Sequence, residues 1–313
     1  MVGKGRQVVD EAHEWIADRL RELGFRELGP IEQVRVRPWS VVLAVPTDHG
    51  RVFFKANEPA YRREAARVAF LGARRPDLVP APLAADPATG WMLLADAGAP
   101  LRDLVERERD VSRWLDVLPL YAGLQVELAG DADALVALGT PDLRLDVLPA
   151  RFEAMLADLA TVDDRAHDGE LLRLRAEVPH VAAMAADLAR FGIPETIEHD
   201  DLNDSAVYLE DGRYRLIDWG DACVAHPFFS LSVALEGVVA WGPDDVEGSV
   251  DVRPFRDAYL EGFAHLASRE ELLAACALAL RLGWVCRAVN GHEHADDRAQ
   301  TWTRLRMAFD GHP

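Results

Sequence analysis

The sequence predicts an α+β chain in two lobes, a β-rich N-terminal lobe and a mainly helical C-terminal one. Three observations carry this. The chain has 313 residues, enough for two folding units at roughly 150 residues each. Short β-like runs fill residues 31–94, and helical periodicity takes over after Gly98. A single β-rich island then interrupts the helical region, from Ile197 to Ile217. Half the residues are hydrophobic and 28% are charged, a globular composition with ample material for a core.

The elements follow in order. Val8, Ala12, Trp15, Ile16, Leu20 and Leu23 keep a helical period, and Gly24 supplies a stop. Val34-Arg35-Val36 alternates, and Val41 to Val45 is a continuous apolar run. Val52-Phe53-Phe54 follows the turn residues Thr47-Asp48-His49-Gly50. A helix from Tyr61 to about Leu71 interrupts the strands, and the turn Asp86 to Gly90 leads into Trp91-Met92-Leu93-Leu94. This reads as a small antiparallel sheet with one inserted helix. Ala97-Gly98-Ala99-Pro100 is the expected hinge, giving lobes at 1–97 and 98–313. Helical segments run from Leu101 to Ala129 and from Leu148 to Phe191. Ser268-x-x-Glu271 has capping-box spacing before the run Leu272 to Leu280. In the island, Asp211-Gly212 is a hairpin turn between Val207-Tyr208-Leu209 and Tyr214-Arg215-Leu216-Ile217.

Charge narrows the partners. With 34 Lys and Arg against 53 Asp and Glu, the formal charge is −19. Such a surface repels nucleic-acid phosphates and anionic lipid; it is compatible with cationic small molecules, and keeping the protein soluble is the other reading of it. Cys223, Cys276 and Cys286 leave an odd thiol after any disulfide, so a reducing cytoplasm is the expected setting. The N-terminus lacks a secretory h-region. The apolar stretch from Leu272 to Cys286 is interrupted by Arg281 and reads as too short to span a bilayer. Neither nucleic acid nor membrane is expected as a partner, and the oligomeric state stays open.

The chemistry concentrates in the island. It reads His199-Asp200-Asp201-Leu202-Asn203-Asp204-Ser205-Ala206, then Leu216-Ile217-Asp218-Trp219 after the hairpin. A hairpin returns its ends to nearly the same place, so Asp201 and Asp218 are expected close together. Neighbouring carboxylates repel unless a cation or proton lies between them or they do different jobs. Phosphoryl transfer divides the labour in this way: one carboxylate orients a hydroxyl, and the other holds Mg²⁺ on nucleotide phosphates. Solvated turn residues are the alternative, which suits Asp204 and Asp211 better than an acid directly after Leu216-Ile217. Lys55 ends an apolar strand, and a lysine in that position needs a partner. Glu64, in line with Val68 and Leu71 on the following helix, is the favoured one, and Glu58 is its rival.

His199-x-Asp201-Leu202 followed by Ile217-Asp218-Trp219 resembles the catalytic and metal-binding segments of aminoglycoside phosphotransferases and their choline-kinase-like relatives. The resemblance implies a two-lobed, protein-kinase-like fold with Asp201 as catalytic base and Asp218 as the Mg²⁺ ligand. It extends from about residue 31 to 235, with Lys55, Glu64, a hinge, Asp201, the hairpin and Asp218 in order. It further implies ATP as cofactor, with Lys55 and Glu64 serving the phosphates and Leu94, Ala95 and Asp96 meeting the base through backbone groups. No P-loop and no G-x-G-x-x-G occur. Ser40, in Arg37-Pro38-Trp39-Ser40, stands where a phosphate cover is expected, and an ordinary polar turn reads equally well there. Asp200 stands where the family usually has glycine. Ala206 stands where it has a metal-binding asparagine, and Asn203, Asp204 and Ser205 are nearby substitutes.

Two functions follow. One is an ATP- and Mg²⁺-dependent phosphotransferase acting on a small-molecule hydroxyl, with cationic aminoglycosides or amino sugars among the candidate acceptors. The other is a nucleotide-binding pseudoenzyme or interaction module on the same fold, motivated by Ala206. Little chain remains after Asp218 for an activation segment, which argues against a protein kinase. Asp221, Glu236, Asp244, Asp245 and Glu247 either line a cation-binding acceptor pocket or face solvent. His292 and His294 invite a metal reading, but a spacing of two does not place them on one helix face.

Overall fold

The computed structural model describes residues 2–161, 168–294 and 298–311. They form two compact units, residues 1–101 with 205–220, and residues 102–204 with 221–313.

The first unit begins with α1 (Val2–Leu23), then β1 (Glu32–Val36), β2 (Ser40–Thr47), β3 (Gly50–Asn57), α2 (Glu64–Arg74), β4 (Ala84–Asp86), β5 (Trp91–Ala95) and β6 (Ala99–Pro100). Five strands make an antiparallel sheet in the order β1-β2-β3-β5-β4. The period-3.6 face of α1 lays Ala12, Ile16 and Leu20 onto Leu43, Val45, Val52, Phe54 and Leu93, closing one core. The β2–β3 turn is tied by Thr47 Oγ1, which donates to the Gly50 carbonyl at 2.6 Å. Register then puts Lys55 opposite Val42 on one side and Met92 on the other, in the buried later half of β3. The expected hinge stretch contains a strand: Gly98 has φ +93°, and a Cβ there would collide with the Leu209 carbonyl, so only glycine lets β6 approach its partner this closely.

The second unit carries α3 (Leu101–Glu108), α4 (Trp114–Glu127), α5 (Ala132–Ala137), α6 (Leu148–Leu159), α7 (Asp168–Ala189) and the short strand β7 (Thr196–Glu198). The chain then re-enters the first unit as the hairpin β8 (Val207–Glu210) and β9 (Arg213–Leu216). Asp211 and Gly212 both have positive φ, as a two-residue type I′ turn requires. The hairpin packs with the first unit because β8 pairs with β6 and the Leu216 N–H donates to the Leu78 carbonyl at 2.8 Å. It does so although it lies within the 98–313 segment expected to form the second lobe. The chain returns as β10 (Cys223–Ala225), antiparallel to β7, and ends in α8 (Arg253–Glu261), α9 (Arg269–His294) and α10 (Arg298–Asp310).

Ser268 and Glu271 form the expected capping box at the start of α9: Ser268 Oγ accepts from the Glu271 N–H at 3.3 Å, and Glu271 Oε2 accepts from the Ser268 N–H at 2.9 Å. The apolar run is longer than its sequence suggested. It belongs to a 26-residue helix that is long and apolar enough, by length and composition, to cross a membrane. Of its most apolar window, 61% is buried inside the protein, the position of a core helix. At Gly283 a Cβ would lie 2.7 Å from the Phe229 carbonyl oxygen, so glycine lets α9 sit against the neighbouring turn. His292 pairs with Asp158 at 2.9 Å, whereas the His294 side chain, Asp296 and Asp297 lie outside the described residues.

Candidate functional site

In the first unit, three residues from distant segments of the sequence meet at one ammonium. Lys55 Nζ donates to Glu64 Oε1 at 2.8 Å and to Asp218 Oδ1 at 2.5 Å. Lys55 is 7% exposed and Glu64 only 2%. The helix period turns Glu64 inward, as the sequence suggested, and Glu64 rather than Glu58 is the lysine's partner. Asn57 Nδ2 donates to the second Glu64 oxygen at 2.7 Å, fixing the carboxylate plane. Burial works against the charge on Lys55, but the Asp218 and Glu64 carboxylates outweigh it and hold its pKa above the ordinary lysine value.

Asp218 is presented by the hairpin. It has φ +63°, a left-handed conformation costly for a residue with a Cβ, two residues after β9. The turn around it is pinned on both sides. Trp219 Nε1 donates to the Leu216 carbonyl at 3.1 Å, and the buried Arg67 guanidinium donates to the carbonyls of Trp219 and Gly220. Arg35 Nη2 lies 3.7 Å from Asp218 Oδ2. Ala206 is buried, and its carbonyl accepts from the Ile217 N–H at 2.9 Å, which ties the two ends of the hairpin together.

The remaining first-unit candidates lie along the sheet. Ser40 is buried at the first position of β2, opposite Asn57, and its carbonyl accepts from the Arg37 N–H at 2.8 Å. Leu94 and Ala95 pair with Phe53 and Val52. Asp96 follows β5 and accepts from Arg51 Nε at 3.1 Å and from the Gly98 N–H at 3.0 Å.

In the second unit, Asp201 lies just after β7 and is held by a residue that the sequence pattern did not single out. Arg287, on α9, donates from Nη2 to Asp201 Oδ1 at 2.6 Å and from Nη1 to the Asp200 carbonyl. Asp200 has φ +63°, which supplies a physical reason for glycine at such a position, and its carboxylate accepts from Asn290 Nδ2 at 3.1 Å. Asn290 also donates to the Asp221 carbonyl at 2.5 Å. Burial opposes the charge on Arg287, but Asp201, Asp200 and Asp221 prevail and hold its pKa above the usual arginine value. The signal was present as an Arg and an Asn three residues apart within an apolar helix, where each needs a polar partner.

Behind this loop lies a buried hydrogen-bond network. Gln125 Nε2 donates to the Ile197 carbonyl at 3.0 Å and to Tyr121 Oη at 3.1 Å. Tyr121 Oη accepts from the His199 N–H at 3.0 Å and shares a 2.6 Å hydrogen bond with Ser230 Oγ, which donates to Glu198 Oε1 at 2.7 Å. Burial first, then the charge of Asp200, pushes Glu198 up to about 8. Among the described residues, Glu198, Cys223 and Cys286 lie close enough together to share a metal ion. Ser230 and the Asp200 N–H already donate to one Glu198 oxygen, and the Cys223 thiol donates to the other at 3.4 Å, so hydrogen bonds account for the cluster.

Several loop acids have partners. Asp204 takes a 2.9 Å hydrogen bond from Arg102 Nε, Asp244 pairs with Arg109, and Glu236 accepts from Trp284 Nε1 at 2.7 Å. Asn203 Nδ2 donates to the Asp201 carbonyl at 3.1 Å.

No protein-family model matches the chain, and no curated protein matches it. Solved structures do. Plasmodium vivax ethanolamine kinase matches with a TM-score of 0.62 at 13% identity, over 91% of this chain and 83% of its own. Macrolide 2'-phosphotransferase type I matches at 0.59 and 13%, over 95% and 96%. The streptomycin–ATP–APH(2")-IIa ternary complex matches at 0.59 and 12%, over 96% of both chains. The fold is therefore the two-lobed, protein-kinase-like fold of small-molecule phosphotransferases, with a β-rich N-lobe and a mainly helical C-lobe. It is the fold shared by ethanolamine and choline kinases and aminoglycoside phosphotransferases, the group the residues resemble.

Proposed function

We propose that the chain is an ATP-dependent phosphotransferase that moves the γ-phosphoryl group to a hydroxyl of a small molecule. The observation that carries this is the Lys55 ammonium held between Glu64 and Asp218, because Lys, a helix Glu and a post-hairpin Asp form the phosphate- and metal-handling set of kinase-like lobes. The nucleotide in the APH(2")-IIa complex supports ATP as donor.

In this reading Glu64 holds Lys55, and Lys55 steadies the α- and β-phosphates. The donor set fits Mg²⁺, since Asp218 offers a hard carboxylate oxygen on a side chain 42% exposed, and Mg²⁺ ordinarily takes one or two carboxylates beside phosphate oxygens. Bound there, Mg²⁺ would neutralise charge on the phosphates. Asp201 orients the acceptor hydroxyl and takes its proton as the oxygen bonds to the γ-phosphorus. The bond from that phosphorus to the bridging oxygen breaks, and ADP leaves. The protein's share is positioning and charge compensation. The acceptor is a small-molecule alcohol, with cationic aminoglycosides or amino sugars the first to screen against a −19 chain. Three buried thiols suit a cytoplasmic setting. Acceptor-dependent ADP release that requires Mg²⁺ and disappears in Asp201→Asn is expected; undiminished release by Asp201→Asn sinks the assignment.

Ala206 favours a second reading. It offers no metal-ligating side-chain atom, so a chain that binds ATP without transferring phosphate is the pseudoenzyme alternative. Thermal shifts with ATP and Mg²⁺, without turnover across a broad alcohol panel, would select it.

A further inference from the structure

We propose that Arg287 is the positioning residue for Asp201, a helix-borne guanidinium that fixes the orienting carboxylate and the backbone beneath it. This rests on the phosphotransferase reading. The geometry is specific. Nη2 takes Asp201 Oδ1 at 2.6 Å, while Nη1 takes the Asp200 carbonyl and lies 3.7 Å from Asp200 Oδ2. One planar fork therefore sets both the side chain of Asp201 and the peptide before it. A point charge cannot do both jobs in fixed geometry.

The fork is itself held. Arg304, on α10, donates to the Arg287 carbonyl at 3.3 Å, and its guanidinium lies so close to Gly291 that a Cβ there would collide with it. One turn along α9 from Arg287, Asn290 takes the Asp200 carboxylate and the Asp221 carbonyl. Cys286, Arg287 and Asn290 share the helix face turned to the 198–201 segment, where Cys286 Sγ lies 3.9 Å from Cys223 Sγ. Charged groups that act on the Arg287–Asp201 pair include Asp200 on the same segment, Arg304 from α10 and Asp221 after the hairpin.

The mechanistic consequence concerns what Asp201 does. A carboxylate with one oxygen committed to an arginine is a weak base but a well-aimed acceptor. That suits a loose phosphoryl-transfer transition state, which needs little proton abstraction and much alignment. Arg287 then supplies two separable effects. Its charge lies against the Asp201 carboxylate, and its fork sets the angle at which Asp201 meets the hydroxyl.

The test compares wild type, Arg287→Gln and Arg287→Lys, with folding checked by circular dichroism and melting. In Arg287→Gln, kcat is expected to fall about 10- to 100-fold with the KM for ATP within twofold of wild type, since misalignment of a reacting group costs up to about that much. The acid limb of its pH–rate profile should move up by about one pH unit, because removing a cation beside an aspartate raises its pKa. Arg287→Lys should keep the wild-type acid limb and recover only some of kcat. If Arg287→Gln cannot fold, Arg287→Lys carries the kinetic test, with unchanged kcat as the overturning result. A ¹³C-carboxyl titration of Asp201, assigned through Asp201→Asn, needs no turnover. An unmoved midpoint in Arg287→Gln overturns the proposal. A wild type that phosphorylates no acceptor overturns the proposed function, and the tether then stands or falls on that titration alone.

Discussion

The two units each place a long cation between carboxylates, and the two arrangements differ in what the cation can do next. In the first unit Lys55 is a point charge on a flexible stem, shared by the deeply buried Glu64 and the half-exposed Asp218. In the second, Arg287 grips a carboxylate and a backbone carbonyl at once. An ammonium can exchange Asp218 for a phosphate oxygen while Glu64 keeps it in place. A guanidinium that also supports the main chain has no such freedom. The first arrangement leaves its cation free to change partners, and the second fixes a carboxylate and its backbone in one geometry.

Removing the lysine should break the first arrangement hardest. Lys55→Met leaves Glu64 buried without its cation, and breaking a buried pair from one side costs about 3–5 kcal/mol. Melting should fall by several degrees, and ATP turnover by about 10²-fold or more through lost phosphate alignment. The double variant Lys55→Met, Glu64→Met should recover most of the melting temperature and none of the turnover. Recovery of both would mean that the pair is only structural.

Next in size is the metal side. Asp218→Asn keeps the shape of the turn, and on the proposed function it removes the carboxylate that would hold Mg²⁺. The expected result is a large rise in the Mg²⁺ concentration needed for half-maximal turnover, with the KM for the acceptor changed little. Ala206→Asn probes the same place from the opposite direction. Inserting an amide at a buried alanine should cost about 1–3 kcal/mol of stability. If the chain is a working phosphotransferase, the variant should lower its Mg²⁺ requirement several-fold. A silent wild type and an active Ala206→Asn would instead identify a pseudoenzyme.

The Lys55–Glu64 pair of the first arrangement was readable in the sequence and the second arrangement was not, for a physical reason. Lys55 lies on an apolar strand, Glu64 sits on the inward stripe of a period-3.6 helix, and Asp218 follows a hairpin marked by Asp-Gly. Each is set by local pattern, and local pattern is what a sequence displays. Arg287 lies 86 residues from Asp201 on a helix whose dominant signal is apolar, so nothing local announces its partner. The Gln125–Tyr121–Ser230–Glu198 network was hidden likewise, because its members come from α4, β7 and the stretch after β10. The pairing of the expected hinge stretch with β8 depends on a glycine whose constraint appears only in three dimensions.

The smallest expected effect tests the core behind Asp201 through its pH dependence. Burial, and then Asp200, raise Glu198 to about 8, above an unfolded value near 4.5. The folded chain therefore binds this proton more tightly than the unfolded one. The stability Glu198 contributes is complete below about pH 4.5 and is lost as pH climbs toward 8. His226 has the opposite sign. Burial pulls it down to about 3 from 6.5, so its contribution is complete above pH 6.5 and is lost as pH falls toward 3. Its ring is held neutral against Phe228 and Phe229, with Nδ1 accepting from the Phe228 N–H at 3.2 Å. Between pH 5 and 8 the wild type should therefore lose more melting temperature than Glu198→Gln, whose amide does not titrate. Below about pH 4.5 the two should fall in parallel, because both retain His226. Identical slopes from pH 5 to 8 would mean that Glu198 ionises in place, stabilised by the donors from Ser230, Cys223 and the Asp200 N–H. The buried acid behind Asp201 would then be as fully compensated as Glu64 is by Lys55, and the contrast between the two units would narrow to the cation alone.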